Sequence, residues 1–302
     1  MSDDDRETIE IDGRAVTITK PSRVLWPSIG WTKRDLIVYL RAVAPAMLPH
    51  LRGRAVTLAR FPEGVDARGW YQTNAPRGAP AWLRTVSLIS PAGKALTMCL
   101  VEDEASLVWA AGQGTLELHA YLAPIDRPDA PHALVIDLDP RAPAGLIDAA
   151  RVALDARAKL EARGLRALAK TSGAKGVHVF APVSGATYAE TKAIAREIAK
   201  ELTAADPSRI TDRMAKAAGA GKVLVDWGQN DAWKSIVVPY SPRATVVPLV
   251  STPVTWDEVE LAVRASAPSG LRFAPDVVIA RLAQHGGDLF APVLGERHAR
   301  LS

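Results

Sequence analysis

Apolar residues recur along this chain in two rhythms, one near 3.6 residues and one of 2, and the changes between them mark out its elements. After Thr32-Lys33-Arg34-Asp35 the apolar positions return with helical spacing as far as about Leu48, and the Thr-x-x-Asp entry resembles a capping box with Asp in place of the preferred Glu. A helix is expected there. Short strands are expected around 55–60 and within 84–100, the latter broken in two by the turn at Pro91-Ala92-Gly93-Lys94, and an alanine-rich helix from about 103 to 114. The run Ala133-Leu134-Val135-Ile136 is apolar enough for a buried strand and ends in Asp137-Leu138-Asp139-Pro140. Residues 143–163 read as a long helix stopped by Gly164, and Thr187 with Glu190 opens another that runs to about 204. Between them a glycine-punctuated turn at 171–176 feeds a β-branched, alternating run to Phe180, and Lys222-Val223-Leu224-Val225-Asp226 forms a last short strand. Strand, helix, strand, strand, helix, strand is the order of a small mixed sheet with helices on one face, an α+β arrangement. No internal repeat, low-complexity tract or linker interrupts it, and residues beyond about 262 carry no distinctive signal.

Two of these strands deliver carboxylates at their ends. Side chains alternate along a strand, so Asp137 and Asp139 share a face, about 6.5–7 Å apart along the backbone. Oxygen ligands so spaced suit Mg²⁺ or Mn²⁺, and a pair of such ions about 3.5–4 Å apart clamps the attacking and leaving oxygens of a phosphoryl transfer. Read alone, Asp-x-Asp also fits a turn or a sugar-nucleotide transferase, and Asp226 also fits a capping or strand-terminating aspartate. In the turn that precedes Phe180, Ser172 and Lys175 offer a hydroxyl and a cation, two glycines admit an anion close to the backbone, and His178 projects from the first residues of the strand that follows. That combination reads as a triphosphate cradle. A hairpin turn with a surface lysine and a core histidine fits the same residues.

Composition changes this picture little. The 302 residues carry a net charge of +4, with Asp3-Asp4-Asp5 leaving the remainder somewhat more basic, a balance that permits nucleic-acid binding without requiring it. The length fits one large domain or two lobes. Cys99 is the sole cysteine, which excludes a disulfide framework and a cysteine-rich zinc site, so no zinc is expected. With neither a signal peptide nor a long apolar span, a soluble cytoplasmic protein without membrane association is expected.

Together the three segments resemble the catalytic motifs of the archaeo-eukaryotic primase superfamily, and in particular the polymerase domain of bacterial ligase D, which serves non-homologous end joining. The first motif matches at Asp137 and Asp139, the second at Ser172, Gly173, Lys175, Gly176 and His178, and the third at Asp226. Lys20-Pro21-Ser22-Arg23-Val24-Leu25-Trp26-Pro27 with Trp31 to Leu36 resembles the amino-terminal signature. Trp70-Tyr71-Gln72, Asn74-Ala75-Pro76, Glu117-Leu118-His119, Pro239 to Arg243 and Val250 to Pro253 match in the family's order, so the likeness runs from about residue 8 to about 260.

The resemblance implies a primase-polymerase fold over residues 1–302. A smaller mixed α/β amino-terminal lobe would reach to about 130, an RRM-like catalytic module would occupy about 131–265, and a carboxy-terminal extension would follow from 266 to 302. It implies that Asp137, Asp139 and Asp226 are catalytic metal ligands for two Mn²⁺ or Mg²⁺ ions, and that Ser172, Lys175, His178, Gln229, Arg243 and His119 hold the incoming nucleotide. Without the family match, Arg243 would be read as a surface ion pair and His119 as a structural histidine at a helix end. Lys20, Arg23 and Lys33 fall where the family binds the 5′-phosphate across a gap, and Trp70 and Tyr71 where it stacks a Phe-Phe pair on the template strand. This chain has Lys20 where the family usually carries asparagine and Arg23 where it usually carries lysine. Its Ala217-Ala218-Gly219-Ala220-Gly221 stretch replaces a more basic loop, which weighs against end bridging.

The implied function is that of a template-directed DNA/RNA polymerase that extends primer 3′ ends at gaps or breaks in DNA repair, preferring ribonucleotides. Its partners would be gapped or broken DNA with a 5′-phosphate, nucleoside triphosphates, and end-joining or ligase proteins met at the nucleoid. With no Lys-x-Asp-Gly nucleotidyl-transfer motif and no room for a ligase or phosphoesterase domain, a stand-alone polymerase module is expected. A metal-dependent nuclease or nucleotidyl hydrolase, and a catalytically silent module that binds DNA ends, are the alternatives.

Overall fold

The computed structural model describes residues 6–215 and 219–295, so Asp3 to Asp5 and, in the glycine- and alanine-rich stretch, Ala217 and Ala218 lie outside the described residues. The chain opens with a hairpin, β1 (Arg6–Ile11) and β2 (Arg14–Thr19), and a short ribbon, β3 (Val24–Trp26) and β4 (Trp31–Thr32). Helix α1 (Lys33–Met47) follows. Its cap is reciprocal: Asp35 N–H donates to Thr32 Oγ1 at 3.2 Å and Thr32 N–H donates to Asp35 Oδ2 at 2.7 Å. Next come β5 (Ala55–Arg60), β6 (Trp70–Gln72), β7 (Thr85–Ile89), β8 (Ala95–Leu100), α2 (Glu104–Gly112) and β9 (Thr115–Tyr121). The strands expected at 55–60 and 84–100 and the helix expected near 103–114 are thus present. His119 is not at a helix end; it lies inside β9, because Gly114, with φ +76, ends the helical path and the β-branched Thr115 restarts the chain as a strand.

The second half contains β10 (Ala133–Pro140), α3 (Leu146–Glu161), β11 (Leu168–Thr171), β12 (Val177–Pro182), α4 (Tyr188–Ala205), β13 (Ile210–Thr211) and β14 (Val223–Asp226). In space β14, β10, β12 and β11 are consecutive and antiparallel, the fourth, first, third and second strands of a βαββαβ unit, which is the RRM-like arrangement. Helix α3 begins three residues later than its apolar spacing predicts, at a Gly145 cap where Asp148 accepts from Gly145 N–H at 2.8 Å. Leu134, Ile136 and Leu138 of β10 are buried in one core cluster with Ala149 and Ala153 of α3 and Ile198 of α4. Alternation then turns Asp137 and Asp139 to the opposite face.

The remaining elements are β15 (Ser235–Val237), β16 (Pro242–Arg243), β17 (Leu249–Val250), β18 (Pro253–Val254), α5 (Trp256–Ala265) and α6 (Pro275–Gln284). β15 pairs with β9, Val237 opposite His119, and completes a sheet of order β15-β9-β5-β8-β7 with β6 on β5. A strand from beyond the third carboxylate thereby belongs to the sheet built from residues 55–121, and this draws the two sheets together around a cleft. The closing segment packs back through Asp288, 2.7 Å from His50, and Phe290, whose ring lies edge-on to Phe180.

Candidate active site

One transverse row of the catalytic sheet carries four titratable residues. Lys170 on β11 is the register partner of His178 on β12, His178 of Asp137 on β10, and Asp137 of Asp226 on β14. Asp139, two residues on from Asp137, shares its face. A row of this kind is set by register alone: slipping any strand by one residue would turn its member into the helix-packed side.

The row is electrostatically tense. Burial first, then the charges of Asp139 and Asp226, pushes the Asp137 carboxyl up to about 8, and burial raises that of Asp226 as well. Lys170 is 0% exposed and was not singled out in the sequence; burial, then Arg243, drives its pKa well below the usual lysine range. Its Nζ lies 2.7 Å from Ser251 Oγ and 2.9 Å from His178 Nδ1. Ser251 has its own proton committed to Thr171 O at 3.0 Å, so it accepts from Lys170. His178 Nε2 lies 3.4 Å from Asp137 Oδ1, and burial and then Lys170 hold the ring well below the usual histidine range.

Between β11 and β12 the turn closes with Ser172 N–H donating to Gly176 O at 2.9 Å. Ser172 Oγ accepts from Ala174 N–H at 3.2 Å and Gly176 N–H at 3.0 Å, which leaves the hydroxyl proton for a ligand. Lys175 is exposed at the tip. Two glycines are required here for close approach: a Cβ at Gly173, whose φ is +75, would meet Ser251 N at 2.7 Å, and one at Gly176 would meet Leu138 O at 2.6 Å.

Across the cleft, His119 and Glu117 project from β9. Arg243 Nη1 donates to Ser172 O at 2.7 Å, which joins the Tyr240–Arg243 segment to the cradle rather than leaving the arginine in a surface pair. Gln229 Nε2 donates to Ser235 O at 3.0 Å. Asp137, Asp139, His119, Ser172, Lys175, His178, Gln229 and Arg243 all line one cleft of about 470 Å³. Trp233 and Lys234 line it too, and neither stood out in the sequence, where a lysine after a tryptophan has no periodic signature.

Among the described residues no three His, Cys, Asp or Glu side chains converge tightly enough to ligate one ion as they stand. The donor set nevertheless fits divalent cations: carboxylate oxygens, with the Asp137 pKa raised by burial and by two neighbouring negative charges that a cation would offset.

The model of the LigD primase-polymerase domain matches residues 32–290. The chain belongs to the LigD primase-polymerase domain family. That family is one of nucleotidyltransferases. Over 281 residues, 92% of this chain, it is 34% identical to the multifunctional non-homologous end joining protein LigD of Mycolicibacterium smegmatis, of which it spans 36%. To the bifunctional LigD of Bacillus subtilis it is 30% identical over 275 residues, spanning 43% of that protein. The fold is similar to that of the polymerase domain of Mycobacterium tuberculosis ligase D solved in complex with DNA, with a TM-score of 0.85 and 32% identity over 93% of this chain and 98% of that one. No helix among the described residues is long and apolar enough to cross a membrane.

Departures from the LigD family pattern have physical content at the amino-terminal cluster. Lys33 is 4% exposed, with Nζ donating to Thr19 O at 2.7 Å and Gly112 O at 3.0 Å, so it is no solvated surface cation. Burial, then the charges of Arg23 and Lys20, brings its pKa down to about 8. The three cations therefore gather, with Arg23 also paired to Glu63. Lys20 has φ 52, in the left-handed region that asparagine tolerates far better than residues with longer side chains. Lys20→Asn is expected to stabilise the fold by about 0.5–1 kcal/mol, part of the roughly 1–2 kcal/mol left-handed penalty. Chemical denaturation would check this, and an unchanged midpoint would refute it. Trp70 and Tyr71 are 46% and 64% exposed, so neither is a core aromatic. Arg60 lies beneath Trp70 at 5.3 Å, and the Tyr71 ring meets His119 edge-on at 5.3 Å.

Proposed function

We propose that this chain is a template-directed, primase-type polymerase that adds nucleotides to primer 3′ ends at short gaps or breaks during DNA repair and prefers ribonucleotides. The observation that carries the reading is Asp137 and Asp139, with Asp226 beside Asp137 in register, opening on the same cleft as a turn whose hydroxyl, lysine and close-packed glycines suit a triphosphate, although Asp226 itself does not line that cleft. Asp137, Asp139 and Asp226 hold two divalent ions, Mn²⁺ or Mg²⁺, which when bound lower the pKa of the primer hydroxyl and offset charge on the triphosphate.

Every other role belongs to the chain's own side chains. Ser172 donates its free hydroxyl proton to a phosphate oxygen, Lys175 and Arg243 supply cationic contacts, and His178 and Gln229 complete the binding surface. His119 contacts the nucleotide from the opposite sheet. Exposed Trp70 and Tyr71 stack template bases, an interaction tolerant of ring identity. Lys20, Arg23 and Lys33 receive the 5′-phosphate beyond the gap. A nuclease has no use for the cradle, and a silent end-binding module none for three carboxylates. The relatives' names suggest end-joining proteins as partners; we place that encounter in the cytoplasm at the nucleoid.

Primer extension on labelled gapped DNA with Mn²⁺ tests the reading, and absence of any nucleotide addition would overturn it. On one template a ribonucleotide should be added about 3–10 times faster than its deoxy counterpart, the worth of one neutral hydrogen bond of about 0.5–1.5 kcal/mol. A strong deoxyribonucleotide preference would count against the sugar assignment while leaving the polymerase reading intact.

A further inference from the structure

Glu117 takes no direct part in the roles above, yet it touches two of the residues that do. It is 5% exposed and sits two residues before His119 on β9, so both side chains share a face. Oε2 lies 2.8 Å from His119 Nε2 and 3.1 Å from Arg243 Nε, while Oε1 accepts from Ala244 N–H at 2.9 Å. Since Arg243 Nη1 reaches Ser172 O, one carboxylate links the amino-terminal sheet through an arginine to the phosphate-cradle turn.

A tie between sheets could be purely structural, but two details point to a ligand. An ionised carboxylate only accepts hydrogen bonds, so His119 Nε2 must carry a proton toward it. Although burial opposes ionisation, the His119 hydrogen bond and the Arg243 charge hold Glu117 down at about 2, and burial keeps the His119 pKa below its usual value. The neutral ring is then left with an unprotonated Nδ1, for which the described residues supply no partner, on a residue that lines the cleft. Second, Arg243 Nε faces Glu117 as an ion pair without hydrogen-bond alignment, while Nη2 is bound to no acceptor among the described residues. The guanidinium is held in place with donors to spare.

We propose that Glu117 is the positioning residue of the nucleotide grip: it fixes His119 with Nδ1 as a hydrogen-bond acceptor and holds the Arg243 guanidinium with uncommitted N–H groups for the phosphates. One buried carboxylate thereby sets a contact to the incoming nucleotide from each sheet. The inference rests on the nucleotide-binding reading above, and its test separates the two.

Glu117→Gln is nearly isosteric, keeps an acceptor and removes the charge. On gapped DNA, KM for a nucleoside triphosphate should rise at least about tenfold while kcat falls by less, because contacts that position the ground-state nucleotide are lost. Ring ¹⁵N spectra of histidine-labelled protein should show His119 of the unmodified chain as the Nε2–H form and that of E117Q as a mixture of both neutral forms. An unchanged KM together with an unchanged ring spectrum would overturn the proposal. So would parallel losses of nucleotide affinity, DNA affinity and thermal midpoint, which a merely structural tie produces. Should E117Q fail to fold, a His119 ring carrying its proton on Nδ1 in the unmodified protein would refute the inference by itself. If the unmodified protein adds no nucleotide, the polymerase reading fails, and the ring spectrum still tests the positioning.

Discussion

Asp137→Asn will abolish nucleotide addition and at the same time make the metal-free protein more stable at pH 8. The first half follows if Asp137 serves an ion rather than packing, and extension in Mn²⁺ should fall below a few per cent of that of the unmodified chain. The second follows from the charge row. Burial, then Asp139 and Asp226, raises the Asp137 pKa to about 8, against about 3.9 in an unfolded chain. Between those values the folded state binds the extra proton, so this group's contribution to stability declines as pH rises from about 4 to about 8 and is constant above. Asparagine keeps the shape and has no such slope. A gain of about 1–2 kcal/mol at pH 8 would appear as a thermal midpoint higher by roughly 2–4 °C per kcal/mol, shrinking toward pH 5. Adding Mn²⁺ should stabilise the unmodified chain and leave the variant almost unmoved. A variant that kept extending primers would remove Asp137 from the chemistry; one that lost activity without gaining stability would show that burial and the neighbouring carboxylates do not raise the cost of ionising Asp137 in the folded chain.

Gapped DNA bearing a 5′-phosphate should bind about ten- to a hundredfold more tightly than the same DNA with a 5′-hydroxyl. This is the worth of a charge-assisted contact of about 1.5–3 kcal/mol. Lys33 makes the effect pH-dependent in a particular direction. Burial, then Arg23 and Lys20, lowers its pKa to about 8, so the preference should be full near pH 7 and fade as pH rises past 8, when the amine is neutral in the free protein. Added salt should weaken both complexes through their shared phosphate contacts. Lys33→Ala is a poor test by itself, because Thr19 O and Gly112 O would both lose a donor. Arg23→Gln, at a partly exposed position, should erase part of the difference with the fold unchanged. Equal binding of the two gapped substrates by the unmodified chain at pH 7 would show that Lys20 and Arg23 have cost it gap recognition.

Local signals were sufficient wherever the chemistry is local. Thr32 with Asp35 and Thr187 with Glu190 predict the starts of α1 and α4 because a cap is made by residues three apart, whatever surrounds them. Alternation alone places Asp137 and Asp139 on one face of β10, and the spacing of Ser172, Gly173, Lys175 and Gly176 predicts a tight turn into a strand. The family likeness was legible for the same reason, since each motif is a short continuous segment. What joins those segments is register between strands distant in the chain, and no local pattern encodes it. Lys170 reads as an ordinary strand lysine until pairing sets it beside His178, fully buried and, among the described residues, with no carboxylate bonded to it. Glu117 becomes a link between sheets only when Arg243, far along the chain, is brought to it. Lys33 looks like a surface cation at a helix start, but β2 and the end of α2 close over it. Residue order alone fixes which side chains can carry the chemistry and which face of its own element each occupies, because capping and alternation are short-range. Which of them meet, how deeply each is buried, and hence which charges are held away from their ordinary pKa depend on packing, because desolvation and Coulomb interaction involve every neighbour that packing brings within reach.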